Sequence, residues 1–165
     1  MPFVHVAKIA TAALVAWFLC AAFITDQAPV FAGIAAVMVV QPSIAATLSR
    51  AAERSLGVVL GVVTASVVAF TLGSGSIAVI VTIVAAVLVA WALRLSVTSS
   101  VQVPISAMLV VAFSASMPGY ESHRILETII GAAVGVGVNA IPVGRPRPVA
   151  SALEEVRLKS GDQVV

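Results

Sequence analysis

The sequence predicts an all-α polytopic membrane protein, six transmembrane helices arranged as a 3+3 inverted repeat. Three observations carry that expectation. The chain is 61% hydrophobic and only 10% charged, whereas soluble domains carry roughly 25% charged residues. Its apolar residues gather in six runs, at about 9–24, 28–42, 56–72, 77–93, 101–117 and 128–143. These are long Ala/Val/Leu/Ile stretches, without the alternation of a barrel strand. Finally, the pattern Arg-x-x-Glu-x-x-x-Gly-x-x-x-Gly is written twice, as RAAERSLGVVLG at 50–61 and RILETIIGAAVG at 124–135, 74 positions apart.

The first run follows Lys8 and has the outline of a signal sequence, but the similar runs after it favour a retained first span. Cys20 lies inside it as the only cysteine, so neither an internal disulfide nor a cysteine-rich metal site is expected. Trp17-Phe18-Leu19 before it is too bulky for a lipoprotein cleavage site. The second run follows Thr25-Asp26-Gln27 and the third follows segment 43–55. The fourth follows Gly73-Ser74-Gly75-Ser76, the fifth follows 94–100 and the sixth follows 118–127. Several runs lie near or below the ~17 residues of a minimal span. No gap is long enough for a soluble domain. The expected division is a six-helix transmembrane domain over 1–145, with repeat halves at about 5–72 and 77–143. RPRP at 145–148 stops the last helix and leaves a short cytoplasmic tail, 146–165.

The repeat extends beyond the quoted pattern. LVAWFL at 14–19 returns as LVAWAL at 88–93, and Gln27-Ala28-Pro29 returns, 75 positions on, as Gln102-Val103-Pro104. A unit of three helices is odd, so a second copy enters the bilayer from the opposite face. The charges agree: segment 43–55 nets +1 (Arg50, Glu53, Arg54) and 118–127 nets −1 (Glu121, Arg124, Glu127). With the N-terminus inside, Lys8, Arg50, Arg54, Arg94, Arg145 and Arg147 are cytoplasmic and only Arg124 is outside, which predicts that both termini are cytoplasmic. Inverted repeats are a transporter architecture and occur in channels as well.

Candidate functional residues follow from the repeat. Gly57 and Gly61, like Gly131 and Gly135, are one turn apart and open a groove for close helix packing; this is the expected use, with the third and sixth helices as natural partners. Arg50 with Glu53, and Arg124 with Glu127, are neighbours on a helix face. They are read either as interfacial anchors with an intrahelical ion pair or as charged gates, since arginine's fork suits a carboxylate. Arg54 adds a further charge at the first of these places. Gln27/Pro29 and Gln102/Pro104 stand near the starts of the second and fifth helices. They are either first-turn prolines or the matched interruptions that mark a transporter's site. Asn139, an amide deep in the sixth run, is expected to face protein or a water path. The candidate substrate-contacting set is therefore Arg50, Glu53, Arg54, Arg124, Glu127, Gln27, Gln102 and Asn139. No nucleotide loop, HExxH or Gly-x-Ser-x-Gly elbow is present, so neither an enzyme nor a cofactor is expected. His5 and His123 are not expected to hold metal, and the scattered basic residues form no nucleic-acid stripe.

At RAAERSLGVVLGVV and HRILETIIGAAVGVGVN, following PSIAATLSR, the chain resembles the fusaric acid resistance and aromatic acid exporter superfamily (FUSC-like). The match looks closest to its integral membrane bound transporter domain, over roughly residues 5–145. The resemblance implies an inner-membrane efflux protein for small organic anions such as aromatic carboxylic acids, driven by the proton gradient. Arg50, Arg54, Gly57, Gly61, Arg124, Gly131 and Gly135 match the family's recurring positions. Related plant members conduct malate and other anions as dimers. Typical members add a cytoplasmic helical domain, and often a second six-helix unit. The short chain therefore implies a homodimer or higher oligomer in the lipid bilayer. The alternatives are a non-transporting scaffold subunit of a larger complex and a passive anion channel.

Overall fold

The structure, a computed structural model, describes residues 3–24, 28–73 and 75–142. Among the described residues there are six α-helices and no strand: α1 (Phe3–Phe23), α2 (Val30–Val39), α3 (Ile44–Leu72), α4 (Ser76–Ala92), α5 (Val97–Phe113) and α6 (Tyr120–Ala140). The RPRP stop and the tail at 146–165 lie outside the described residues, as do Asp26 and Gln27.

Helices stand where the apolar runs predict them, but their starts differ. Ser43 Oγ accepts from the Ala46 amide and caps α3, satisfying one of the donors a helix start leaves open. The helix then runs for 29 residues through Arg50, Glu53 and Arg54. It closes at Gly73, whose φ of 72° suits glycine and whose N–H donates to the Ala69 carbonyl. α6 begins at Tyr120 and takes in Arg124 and Glu127. Both charged clusters therefore lie on helices, which start earlier than the apolar runs at 56 and 128.

Two helices, α1 and α3, are long and apolar enough to cross a membrane by length and composition. α4 and α5 have 17 residues each and α2 has 10. At 1.5 Å per residue α2 is about 15 Å long, about half of a ~30 Å hydrocarbon layer. α6 has 21 residues, with Glu121, Arg124 and Glu127 among them.

The distribution of side chains reverses that of a water-soluble domain. Ala12, Ala16, Ala32, Ala36, Ala86 and Ala107 are fully buried, and the largest fully buried side chain is Arg124. Phe3, Phe18, Phe23, Phe70, Ile77 and Trp91 are exposed. In water so much exposed apolar surface would drive association. In lipid it costs nothing, while small residues let backbones approach and polar groups find partners inside. This is the surface of a membrane protein.

α3 lies along α5, and α6 lies along α2; α3 and α6 cross at the centre. α1 packs on α2 and α6, while α4 packs on α5 and α3. Exchanging α1, α2 and α3 for α4, α5 and α6 leaves this set of neighbours unchanged. Among the described residues α2 and α5 do not touch, and a gap separates them.

The glycine steps do serve close packing, but not between α3 and α6 as expected. A Cβ on Gly61 would sit 2.5 Å from the Val103 carbonyl oxygen, and one on Gly57 would sit 2.8 Å from Gln102 Cβ, so both face α5. A Cβ on Gly131 would run into the Ala32 carbonyl and lie 2.7 Å from Ala35 Cβ; one on Gly135 would lie 3.2 Å from the Ala36 carbonyl. Those two face α2. Between α3 and α6 lies a groove lined by alanines instead, Ala51 and Ala52 with Ala132 and Ala133. The same geometry realigns the second helices. Ser99 and Gln102 lie against Gly57 as Ala32 and Ala35 lie against Gly131, so Gln102 is the counterpart of Ala35 rather than of Gln27. The Gln-x-Pro echo has no matching structure: Pro29 is the N-cap residue of α2, whereas Pro104 is inside α5.

Candidate functional site

The two Arg/Glu pairs occupy unlike surroundings. Arg50 and Glu53 are 4.0 Å apart near the surface, with side chains 41% and 31% exposed. Arg50 Nη1 also donates to Thr98 Oγ1 at the start of α5. Arg124 and Glu127 are buried, 2% and 3% exposed. The Arg124 guanidinium lies 3.6 Å from the centroid of the Phe31 ring, an attraction strengthened where water is excluded. Glu127 Oε2 accepts from the Phe31 amide at 2.7 Å. The N-cap of α2 is Pro29, whose side chain makes no capping bond. Glu127 therefore supplies from α6 the acceptor that α2 lacks, and a carboxylate there also meets the positive end of the helix dipole.

Arg54, one turn beyond Arg50, is buried at 4% exposure. Its Nη1 donates to Gln102 Oε1 at 3.0 Å and to Met38 Sδ at 2.9 Å. Gln102 Nε2 in turn donates to Ser106 Oγ at 3.0 Å. A single guanidinium from α3 thus joins α2 to α5 across their gap. The gap is a cavity of about 420 Å³, lined by Phe31, Ile34 and Met38 on one side, by Val101, Gln102 and Ile105 on the other, and by both Arg54 and Arg124. Arg54 Nε, Arg124 Nε and Arg124 Nη1 are buried without a hydrogen-bond partner among the described residues. Leaving charged donors unmet in a dry interior is costly. The arrangement is therefore suited to receive an anion: two planar forks for a carboxylate, and apolar walls for the body attached to it. A larger hollow of about 610 Å³ beside the α4–α5 turn has only Arg94 as a charged lining residue and offers no comparable chemistry.

The family model of fusaric acid resistance-like proteins matches residues 10–138. The chain belongs to that family. The match runs from within α1 almost to the end of α6, so it spans both glycine seams and the cavity. It brings a membrane transporter-like function in general. No curated protein and no solved structure matches the chain.

In this fusaric acid resistance-like chain Asn139 stands apart from the cavity. Its Nδ2 donates to the Gln41 carbonyl at 3.0 Å and to Thr47 Oγ1 at 2.7 Å, and Lys8 Nζ donates to the Asn139 carbonyl at 3.1 Å. The amide faces protein, one of the two placements expected of it, and ties α1 and α6 to the start of α3. Of the other sequence-predicted residues, Arg54, Gln102 and Arg124 come together in the cavity and Glu127 stands behind it. Arg50 and Glu53 stay at the surface, and Gln27 lies outside the described residues. Phe31, Met38 and Ser106 were not anticipated. Ser106, four residues from Gln102 on one helix face, is the one that spacing could have found. Among the described residues no cluster of three His, Cys, Asp or Glu side chains could hold a metal ion.

Proposed function

We propose that this chain is a six-span transporter of small organic anions, such as aromatic carboxylic acids, acting in efflux at the inner membrane. The observation that carries the reading is the cavity between α2 and α5, lined by two buried arginines that each keep N–H groups without a hydrogen-bond partner among the described residues. The exchangeable packing of the two helix triplets supports a 3+3 inverted repeat. So does residue-level correspondence: Arg50 meets Thr98 as Arg124 meets Phe31, each at the second residue of its partner helix. Short helices beside a central cavity are a known feature of such repeats, because irregular backbone is tolerated where it is buried in protein or lines a cavity. In this reading residues 1–145 form the membrane domain, 146–165 are a cytoplasmic tail and both termini are cytoplasmic. Assembly into a homodimer or higher oligomer in the bilayer is part of the same reading.

Reconstitution into liposomes tests the proposal. Wild-type protein is expected to move benzoate uphill when a pH gradient is imposed. Arg54→Gln and Arg124→Gln should each cut that flux by about tenfold or more, since a desolvated charge partner is worth 2–5 kcal/mol or more. Arg50→Gln should leave it within about twofold, as exposed pairs contribute little. Anion current without uphill movement supports a channel, and silence with a defined hetero-complex supports a scaffold. Unchanged flux in both buried-arginine variants removes the cavity from the path.

A further inference from the structure

The two glycine seams pack alike but differ in polarity. On α3, Gly57 and Gly61 follow Arg54. A Cβ on Gly57 would sit 2.8 Å from Gln102 Cβ, and one on Gly61 would sit 2.8 Å from Ser106 Cβ. Ser99, Gln102 and Ser106 share one face of α5 and lie along that seam, each with a polar group. Ser99 Oγ donates to the Glu53 carbonyl, Arg54 Nη1 donates to Gln102 Oε1, and Gln102 Nε2 donates to Ser106 Oγ. On α6 the same step, Gly131 and Gly135, meets Ala32, Ala35 and Val39. Thr128 stands there in the place of Arg54, and its Oγ1 donates to the Arg124 carbonyl within its own helix. Close packing over a glycine step thus needs no amide or hydroxyl. The seam that carries them is the one that holds Arg54.

We propose that Gln102 and Ser106 are positioning residues for anion transport, holding Arg54 so that the guanidinium edge carrying Nε serves the carboxylate of the cargo. The proposal rests on the cavity between α2 and α5 being the anion site. Nη1 of Arg54 is spent on protein, since Gln102 Oε1 and Met38 Sδ both accept from it. Nε is buried with no partner among the described residues and is left as the donor. A guanidinium pairs best with a planar carboxylate through two parallel N–H groups, so the fork has to be fixed in orientation. Ser106 acts through Gln102. An amide has one donor end and one acceptor end, and Ser106 Oγ takes the donor end. The reverse orientation would set the Nε2 donor against the Nη1 donor. Both side chains are buried, and losing a buried acceptor is costly enough to turn the amide away. Arg54 then keeps its charge but loses its fixed orientation.

The test is benzoate flux by the full chain in liposomes under an imposed pH gradient, measured over a range of benzoate concentrations. Ser106→Ala should raise KM about tenfold, the worth of one hydrogen bond to a charged group, with the maximal rate within about twofold of wild type. It should also narrow the preference for planar benzoate over tetrahedral benzenesulfonate that a fixed fork imposes. Ser99→Ala removes a bond across the same seam that does not reach Arg54, and should leave both KM and preference unchanged. Should Ser106→Ala fail to fold, Gln102→Leu, which removes the hold on Nη1 at similar volume, carries the same comparison. An unchanged KM in Ser106→Ala, a raised KM with the preference intact, or the same changes in Ser99→Ala overturns the proposal while leaving the cavity reading in place. Undiminished flux in Arg54→Gln, or no flux by wild-type protein, overturns the cavity reading and this inference with it.

Discussion

Arg50-Glu53 and Arg124-Glu127 are the same pattern at the same place in two helices, yet one pair is a half-exposed ion pair and the other is buried with its members turned to separate tasks. The difference lies in what each pair meets. α5 caps itself, because the Ser96 side chain accepts from the Ser99 amide. Glu53 has no opening to fill there, and its backbone carbonyl instead accepts from Ser99 Oγ. α2 begins on a proline that cannot cap, so Glu127 is drawn inward to its first amides. Thr98 gives Arg50 a hydroxyl, whereas Phe31 gives Arg124 a ring. A repeated motif thus fixes where side chains project, while the residue opposite decides their chemistry.

The largest effect is expected where the two halves are alike. Gly61→Ala and Gly131→Ala each push a methyl into a carbonyl of the partner helix, and each should lower stability in detergent by about 3 kcal/mol or more, at the upper end of overpacking costs. Gly137→Ala, which meets nothing within 4 Å, should leave the melting temperature unchanged. Unequal summed losses over Gly57 with Gly61 and over Gly131 with Gly135, the equivalent pairs, would mean that the seams are not equivalent. A smaller effect should separate the two glutamates. Glu127→Ala removes the cap of α2 and should cost about 2 kcal/mol, whereas Glu53→Ala should cost under about 0.5 kcal/mol; equal losses in thermal melts would abolish the contrast drawn above. Smallest is a repair. Pro29→Ser gives α2 a cap of its own and should restore about 1 kcal/mol to Glu127→Ala, with less gain in the wild-type background, where the carboxylate already occupies the site.

Much of the fold was legible because apolar runs and small-residue steps are local signals. The start of α3 was not, since the apolar run begins only at 56 while the helix begins at Ile44, although Ser43 is a recognisable cap. Burial was harder still. Arg50 and Arg54 are one turn apart, and only the distant approach of Met38 and Gln102 makes the second an interior residue. Gln102 was singled out for a pairing with Gln27 that the helix register does not support. It reaches the cavity because Gly57 lets α5 come close. Phe31 and Met38 carried no signal at all, being ordinary members of an apolar helix until α6 and α3 bring guanidinium groups to them.

The shortness of α2 has an electrical consequence. As a membrane span, a helix of 10 residues would cover only about 15 Å. If water reaches both of its ends, the resting potential falls mainly across that thin layer, where Arg54 and Arg124 stand. A charge carried past them would then do work of about 2.3 kcal/mol for every 100 mV, so turnover should steepen with voltage although no helix need slide through the bilayer.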